Sequence, residues 1–208
     1  TTASAGCATD SACGGTAPDD ASCAVCGEED SFEDNAIVLC DRCDLAVHQN
    51  CYGVHQLPQG EWLCDPCAAG ETTSTLGCPG CARKGGALKR TRDGEWGGWA
   101  HVVCTLFLPE TGFLEPEALD RAAGFDLIHP DRKKLKCHLC DDAGDRVCGG
   151  KIQCTHGRCQ KAFHPTCGMA HGLTMQITDE GNIGYCAAHA PGAPAKARAQ
   201  GRRRKSKA

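Results

Sequence analysis

The sequence is poor in the side chains that build an ordinary core: its 208 residues include only 3 Trp, 2 Tyr, 5 Phe and 2 Met. No stretch approaches the roughly 20 consecutive apolar residues of a membrane span. None keeps a 3.6-residue apolar period over several turns either, so long amphipathic helices are not expected. These absences argue against a membrane partner and leave little material for a single large core. No secretory leader is expected ahead of the cysteines, whose CxxC and HxxC pairing suits a reduced compartment better than a secreted disulfide scaffold. The chain opens at Thr1, as expected of a piece of a longer protein. In excess are 26 Gly and 19 Cys, a cysteine content near that of cross-linked scaffolds.

The cysteines are spaced in pairs. The first module reads Cys23-x2-Cys26-x13-Cys40-x2-Cys43-x4-His48-x2-Cys51-x12-Cys64-x2-Cys67. Thiolate and imidazole are the donors that zinc takes in closed tetrahedral sites, and eight of them in four pairs suffice for two ions. Interleaved wiring puts Cys23, Cys26, His48 and Cys51 on one zinc and Cys40, Cys43, Cys64 and Cys67 on the other. A second module, Cys78-x2-Cys81-x19-His101-x2-Cys104, holds four ligands, enough for one ion. The third repeats the spacing of the first: Cys137-x2-Cys140-x13-Cys154-x4-Cys159-x4-His164-x2-Cys167-x18-Cys186-x2-His189. By the same wiring Cys137, Cys140, His164 and Cys167 form one site, and Cys154, Cys159, Cys186 and His189 the other. Five structural zinc ions are therefore the expected cofactors. Cys7, Cys13, Cys148 and His156 are left over, and His138 and His171 read as surface or packing residues.

The expected fold class is a set of small zinc-stabilised α+β modules with interleaved sites and little regular secondary structure. The boundaries are 1–22 disordered, 23–70 first module, 71–110 knuckle, 111–136 connector, 137–190 third module and 191–208 a basic disordered tail. Ile37-Val38-Leu39 reads as a short strand with its backbone available for pairing. Pro116 to Ala123 reads as a short helix ended by Gly124. Trp62 reads as core filler between two zinc sites.

The formal net charge of −4 hides an asymmetry. Residues 1–70 hold twelve acids against Arg42 alone, whereas residues 194–208 hold seven Lys/Arg and no acid. Sixteen ligand thiolates with five zinc ions add about −6 to the formal charge. Any contact with DNA must then be local to basic clusters: Lys133, Lys134 and Lys136, Arg158 and Lys161, and Arg202, Arg203 and Arg204 in the tail. The tail also resembles a nuclear localisation patch.

Histidine as fifth ligand, with Trp62 two residues before Cys64, resembles a PHD finger; a RING finger would place its histidine fourth. The order of the three modules is similar to the PHD finger–zinc knuckle–extended PHD finger cassette of bromodomain–PHD scaffold proteins in MYST acetyltransferase complexes, of Jade proteins and of plant trithorax-like methyltransferases. The segments that carry this resemblance are Ala46-Val-His-Gln-Asn-Cys-Tyr-Gly53, Gly60-Glu-Trp-Leu-Cys64, Lys84-Gly-Gly-Ala87, Trp99-Ala-His-Val-Val-Cys104 and Ala162-Phe-His-Pro-Thr-Cys167.

The resemblance implies a nuclear histone-tail reader within a larger chromatin-modifying complex, its first finger binding histone H3 and, as in some members, its extended finger contacting duplex DNA. It implies tail pairing with Ile37, Val38 and Leu39, capture of the terminal ammonium by carbonyls around Pro58, Gln59, Gly60 and Glu61, and contact of Asp41 with the tail's second residue, an arginine. Glu28, Glu29, Asp30, Glu33 and Asp34 supply acidity for the tail lysine. Ala46 stands where readers of trimethyl-lysine carry a Trp, so the unmodified tail is the expected ligand.

No residue set makes a catalytic site: four protein ligands per zinc leave no position for water, and no Cys–His pair is free of zinc duty. The chain is therefore expected not to be an enzyme. Two other readings stay open on the sequence: a fragment of a SET-domain histone methyltransferase, and a zinc protein that chiefly binds nucleic acid.

Overall fold

A computed structural model of the chain describes residues 21–178 and 181–191. Cys7, Cys13 and the tail arginines Arg202, Arg203 and Arg204 lie outside the described residues. One local unit is used three times. A short antiparallel hairpin runs into a histidine, and a helix of four to six residues starts directly after it and carries a cysteine on its first turn. The first copy has strands β1 (Ile37–Leu39) and β2 (Ala46–His48) followed by helix α1 (Gln49–Tyr52). The knuckle has β3 (Leu88–Arg90) and β4 (Trp99–His101), then α3 (Val102–Phe107), with α2 (Asp65–Ala68) lying between the two copies.

The third copy has β7 (Ile152–Gln153) and β8 (Ala162–Phe163), then α5 (Pro165–Ala170). In each copy the histidine caps the helix in extended conformation, with φ of −65°, −65° and −68°. A cysteine three residues on then falls on the same face of the first helical turn. The His-x2-Cys spacing thus becomes one edge of a tetrahedron.

The connector departs from the sequence expectation. Instead of a helix over 116–123, it forms a hairpin, β5 (Gly112–Glu115) with β6 (Asp120–Ala123), and then helix α4 (Pro130–Lys134). An isolated eight-residue helix is marginal, whereas the hairpin buries Ala122 completely and bridges it to Thr91 of the knuckle. Leu119 in the turn and Arg121 in β6 take left-handed backbone, at φ 48° and 53°, and Arg121 pairs with Glu115 and Asp120. Gly124 is needed less as a stop than for room, since a Cβ there would lie 2.3 Å from the Glu110 carbonyl. The last hairpin is β9 (Met175–Thr178) with β10 (Gly181–Gly184). No helix among the described residues is long and apolar enough to cross a membrane.

The modules also share more core than the composition suggests. Val25, Val38, Val47 and Tyr52 of the first, Val102, Phe107 and Leu108 of the second, Phe125 and Ile128 of the connector, and Ile152 and Phe163 of the third belong to one contiguous buried cluster. A satellite surrounds Cys154, Cys186 and Ala188. Val47 and Phe163, each directly before a ligand histidine, are both fully buried. Trp62 is half-buried and meets Tyr52 edge-on, with ring centres 5.7 Å apart.

Candidate metal centres and strand edge

The backbone gathers twenty side chains into five groups: Cys23, Cys26, His48 and Cys51; Cys40, Cys43, Cys64 and Cys67; Cys78, Cys81, His101 and Cys104; Cys137, Cys140, His164 and Cys167; and Cys154, Cys159, Cys186 and His189. Within each group the donor atoms lie within 4.8 Å of one another, the span of a tetrahedral zinc shell. None of the 17 described cysteines is in a disulfide.

The histidines disclose their tautomer. In all four His-containing groups Nδ1 faces a thiol, as at Cys26 (3.2 Å), Cys81 (3.3 Å), Cys140 (3.4 Å) and Cys154 (3.4 Å). In three of them the far nitrogen donates its proton to a backbone carbonyl: His48 to Asp30 (2.7 Å), His101 to Gly85 (2.6 Å) and His164 to Cys148 (2.7 Å). A carbonyl that takes Nε2–H leaves the Nδ1 lone pair for the metal, the usual outer-shell arrangement of a ligating histidine. Backbone amides also point at the sulfurs: His48 N–H at Cys23 (3.3 Å), Cys64 at Cys40 (3.4 Å), His101 at Cys78 (3.3 Å) and Cys186 at Cys154 (3.4 Å). Such donors favour the thiolate. Cys51 as donor draws Cys23 well below the ordinary thiol range, and Cys167 does the same to Cys137. Donor set, spacing and outer shell fit five zinc ions, which would act as structural cross-links.

Among the described residues, the leftover ones keep out of the centres. Cys148 joins none of them. The His156 ring stacks on His189 at 4.2 Å, and His138 packs edge-on against Phe163.

The strand β1 has β2 on one side only. The bonds from Cys40 N–H to Leu45 and from Gln49 N–H to Ala36 set the register, so Val38 faces β2 while the peptide groups of Ile37 and Leu39 face outward. One outward group is taken: Ser31 Oγ accepts the Ile37 N–H at 3.0 Å, a local cap invisible to spacing arguments. Glu28, Glu29, Asp30, Glu33 and Asp34 are all exposed in the loop leading into β1, as are Gln59 and Gly60 in the other loop. Asp41 is exposed too, but one carboxylate oxygen already accepts the Trp62 N–H at 2.6 Å.

Of the basic residues, Lys133, Lys136, Arg158 and Lys161 are exposed. A parallel bridge between Cys137 and Ala162 puts Lys136 in register beside Lys161. Lys134 is engaged by Asp131 at 2.9 Å. Arg132, at the head of the same cluster, is turned inward onto Glu110 and the Lys151 carbonyl.

Interleaved Cys/His centres on short hairpins, in a finger–knuckle–finger order, define a PHD-type zinc-binding chain. Residues 76–189 match the model of the PHD-zinc-finger like domain and residues 34–68 that of the PHD-finger; the chain belongs to the PHD-zinc-finger like domain family. It is 41% identical over 195 residues to human bromodomain and PHD finger-containing protein 3, covering 88% of this chain and 16% of that protein. To Protein Jade-1 of Xenopus laevis it is 39% identical over 176 residues, covering 82% and 20%. The chain thus spans a fifth or less of the length of these two relatives. The crystal structure of zebrafish PHF14-PZP matches with a TM-score of 0.68 at 30% identity, over 88% of this chain and 94% of that one.

Proposed function

We propose that this chain is a nuclear chromatin reader whose first finger binds the unmodified N-terminal tail of histone H3, within a larger chromatin-modifying assembly. The observation that carries the reading is the outward edge of β1, where Leu39 offers an unpaired N–H and C=O beside a loop of five exposed acids. A basic extended peptide can add there as a third strand, and the acids attract its Lys/Arg side chains. The Ser31 hydroxyl sits at the end of that edge, so the tail either displaces it from Ile37 or starts its ladder at the Ile37 carbonyl. Ala46 beside the edge supplies no aromatic wall, and a lysine that keeps its N–H donors suits an acidic loop better than a trimethylated one.

The role is recognition and not catalysis, since each centre has four protein ligands. Duplex DNA is an auxiliary partner of the third finger, supported by the side-by-side placement of Lys136 and Lys161.

Calorimetry with three H3 peptides tests the reading. The unmodified tail should bind, the tail trimethylated at its fourth residue should bind more weakly, and the tail acetylated at its terminal amine should not bind. Preference for the trimethylated tail, or equal binding of the acetylated one, overturns it.

A further inference from the structure

Lys151 ligates nothing and is not used in the proposed function, yet it is among the most deeply buried side chains, with no exposed surface. An ammonium is taken out of water at a high cost unless its donors are met. Here Nζ donates to the carbonyls of Lys133 (2.8 Å), Gly149 (3.0 Å), Val147 (3.1 Å) and Cys148 (3.1 Å). Three N–H groups among four carbonyls leave no donor unpaired. A ring of backbone oxygens around a single positive charge is the environment a small hard cation would occupy; in this fold a side chain fills it.

The four carbonyls are not equivalent. The Cys148 oxygen also accepts Nε2–H of His164, so one carbonyl joins the ammonium to a zinc-ligating imidazole. The Gly149 oxygen belongs to a residue in left-handed backbone (φ 63°) whose Cα lies against the turn of the knuckle: a Cβ there would be 2.5 Å from the Gly80 carbonyl group. The next residue, Gly150, donates its N–H to Gly80 O at 3.0 Å, and Gly80 N–H in turn points at Cys78 Sγ at 3.3 Å. A continuous path therefore runs from His164, through the Cys148 carbonyl, the Lys151 ammonium and the 149–150 loop, to the ligand turn of the knuckle. Charge runs the same way. Three thiolates and a neutral histidine leave a zinc centre at −1; burial pushes the Lys151 pKa down, and the nearby thiols of Cys148, Cys137 and Cys140 oppose that shift.

We propose that the Lys151 ammonium is a resident cation that couples the knuckle centre (Cys78, Cys81, His101, Cys104) to the first centre of the third finger (Cys137, Cys140, His164, Cys167), so that the two zinc ions are held and lost together. Lys151 is a positioning residue: it acts through the Cys148 and Gly149 carbonyls and touches neither metal.

The test follows zinc loss cysteine by cysteine. The full zinc-loaded chain is challenged with a chelator and a thiol-alkylating reagent, and labelling of each cysteine is read by mass spectrometry. In the unaltered chain, Cys78, Cys81, Cys104, Cys137, Cys140 and Cys167 should label in one kinetic phase. Lys151→Met should speed that phase by about 10–100-fold, matching the loss of metal affinity typical when an outer-shell partner is removed. Cys40, Cys43, Cys64 and Cys67 should keep their original rate. Lys151→Arg, which restores the charge, should recover most of the protection.

Separate phases for the two sets in the unaltered chain would overturn the coupling, and that measurement stands even if Lys151→Met fails to fold. Unchanged rates in Lys151→Met, equal acceleration at all five centres, or an Arg variant as labile as the Met variant would each overturn the role given to the ammonium.

Discussion

The ammonium of Lys89, on the knuckle, lies 3.2 Å from the Asp65 carboxylate of the first finger. It also sits 4.1 Å above the ring of Tyr52. The Lys89 side chain is 8% exposed and that of Asp65 31%, so water screens the pair only from one side. Tyr52 completes the joint: its hydroxyl donates to the Leu88 carbonyl at 2.6 Å and accepts the Asp65 N–H at 3.1 Å. Lys89→Met should cost about 1–3 kcal/mol, below the 3–5 of a fully buried broken pair because Asp65 can rehydrate. Tyr52→Phe, which leaves a buried carbonyl unpaired, should cost a similar amount, about 1–3 kcal/mol. Chemical denaturation measures both, and faster proteolysis between residues 69 and 77 should accompany them.

Native mass spectrometry of freshly purified protein should show five zinc ions. Structural zinc contributes about 10–16 kcal/mol of apparent binding energy in small fingers, more than the roughly 5–15 kcal/mol net stability of a whole domain. Cys64→Ser should therefore lose an ion and melt the first finger. Fewer than four ions in the unaltered chain would refute the assignment.

Gly149→Ala should be more damaging than Gly157→Ala. Both glycines have positive φ, at 63° and 52°, but a Cβ at 157 meets nothing within 4 Å, while one at 149 runs into the Gly80 backbone. The conformational cost alone is about 1–2 kcal/mol; overpacking adds roughly 1–3 kcal/mol at 149. Equal melting temperatures for the two variants would show that the 149–150 loop does not press on the knuckle.

DNA binding through Lys133, Lys136, Arg158 and Lys161 should be independent of base sequence and sensitive to salt. Four phosphates engaged give a slope of about −3.6 in log K against log salt on duplex DNA. Lys136→Ala with Lys161→Ala should flatten that slope by about 1.8. Lys134→Ala should change it less, because Asp131 already holds that ammonium. Affinity that ignores salt would count against the patch.

The ligand frame was legible because metal spacing is a covalent matter: Cys-x2-Cys and His-x2-Cys fix which sulfurs and nitrogens can meet, whatever surrounds them. The β1 strand was legible for the same reason, lying just before Cys40. The connector was not. Pro116-Glu-Ala-Leu has helical composition, but its fate is decided by a distant contact, Ala122 against Thr91, which local propensity does not encode. Ser31 on the Ile37 amide and Asp41 on the Trp62 amide are not legible in the sequence, because a hydroxyl or carboxylate gives no sign of which backbone group it will cap. The role of Lys151 is not legible either, because a lysine reads as a surface residue until four carbonyls are found around it.

The interleaving of the ligand pairs sets an order of events during synthesis. The first centre cannot close until Cys51 has left the ribosome, and by then Cys40 and Cys43 of the second are already waiting inside the loop that the first centre closes. At about 5–20 residues per second the nascent chain must carry unliganded thiols for a few seconds in each finger. Once both ions are in place, one ligand pair of each centre lies within the loop that the other centre closes. Fraying that stops at the terminal pair of a finger leaves that metal two anchors while the pair returns.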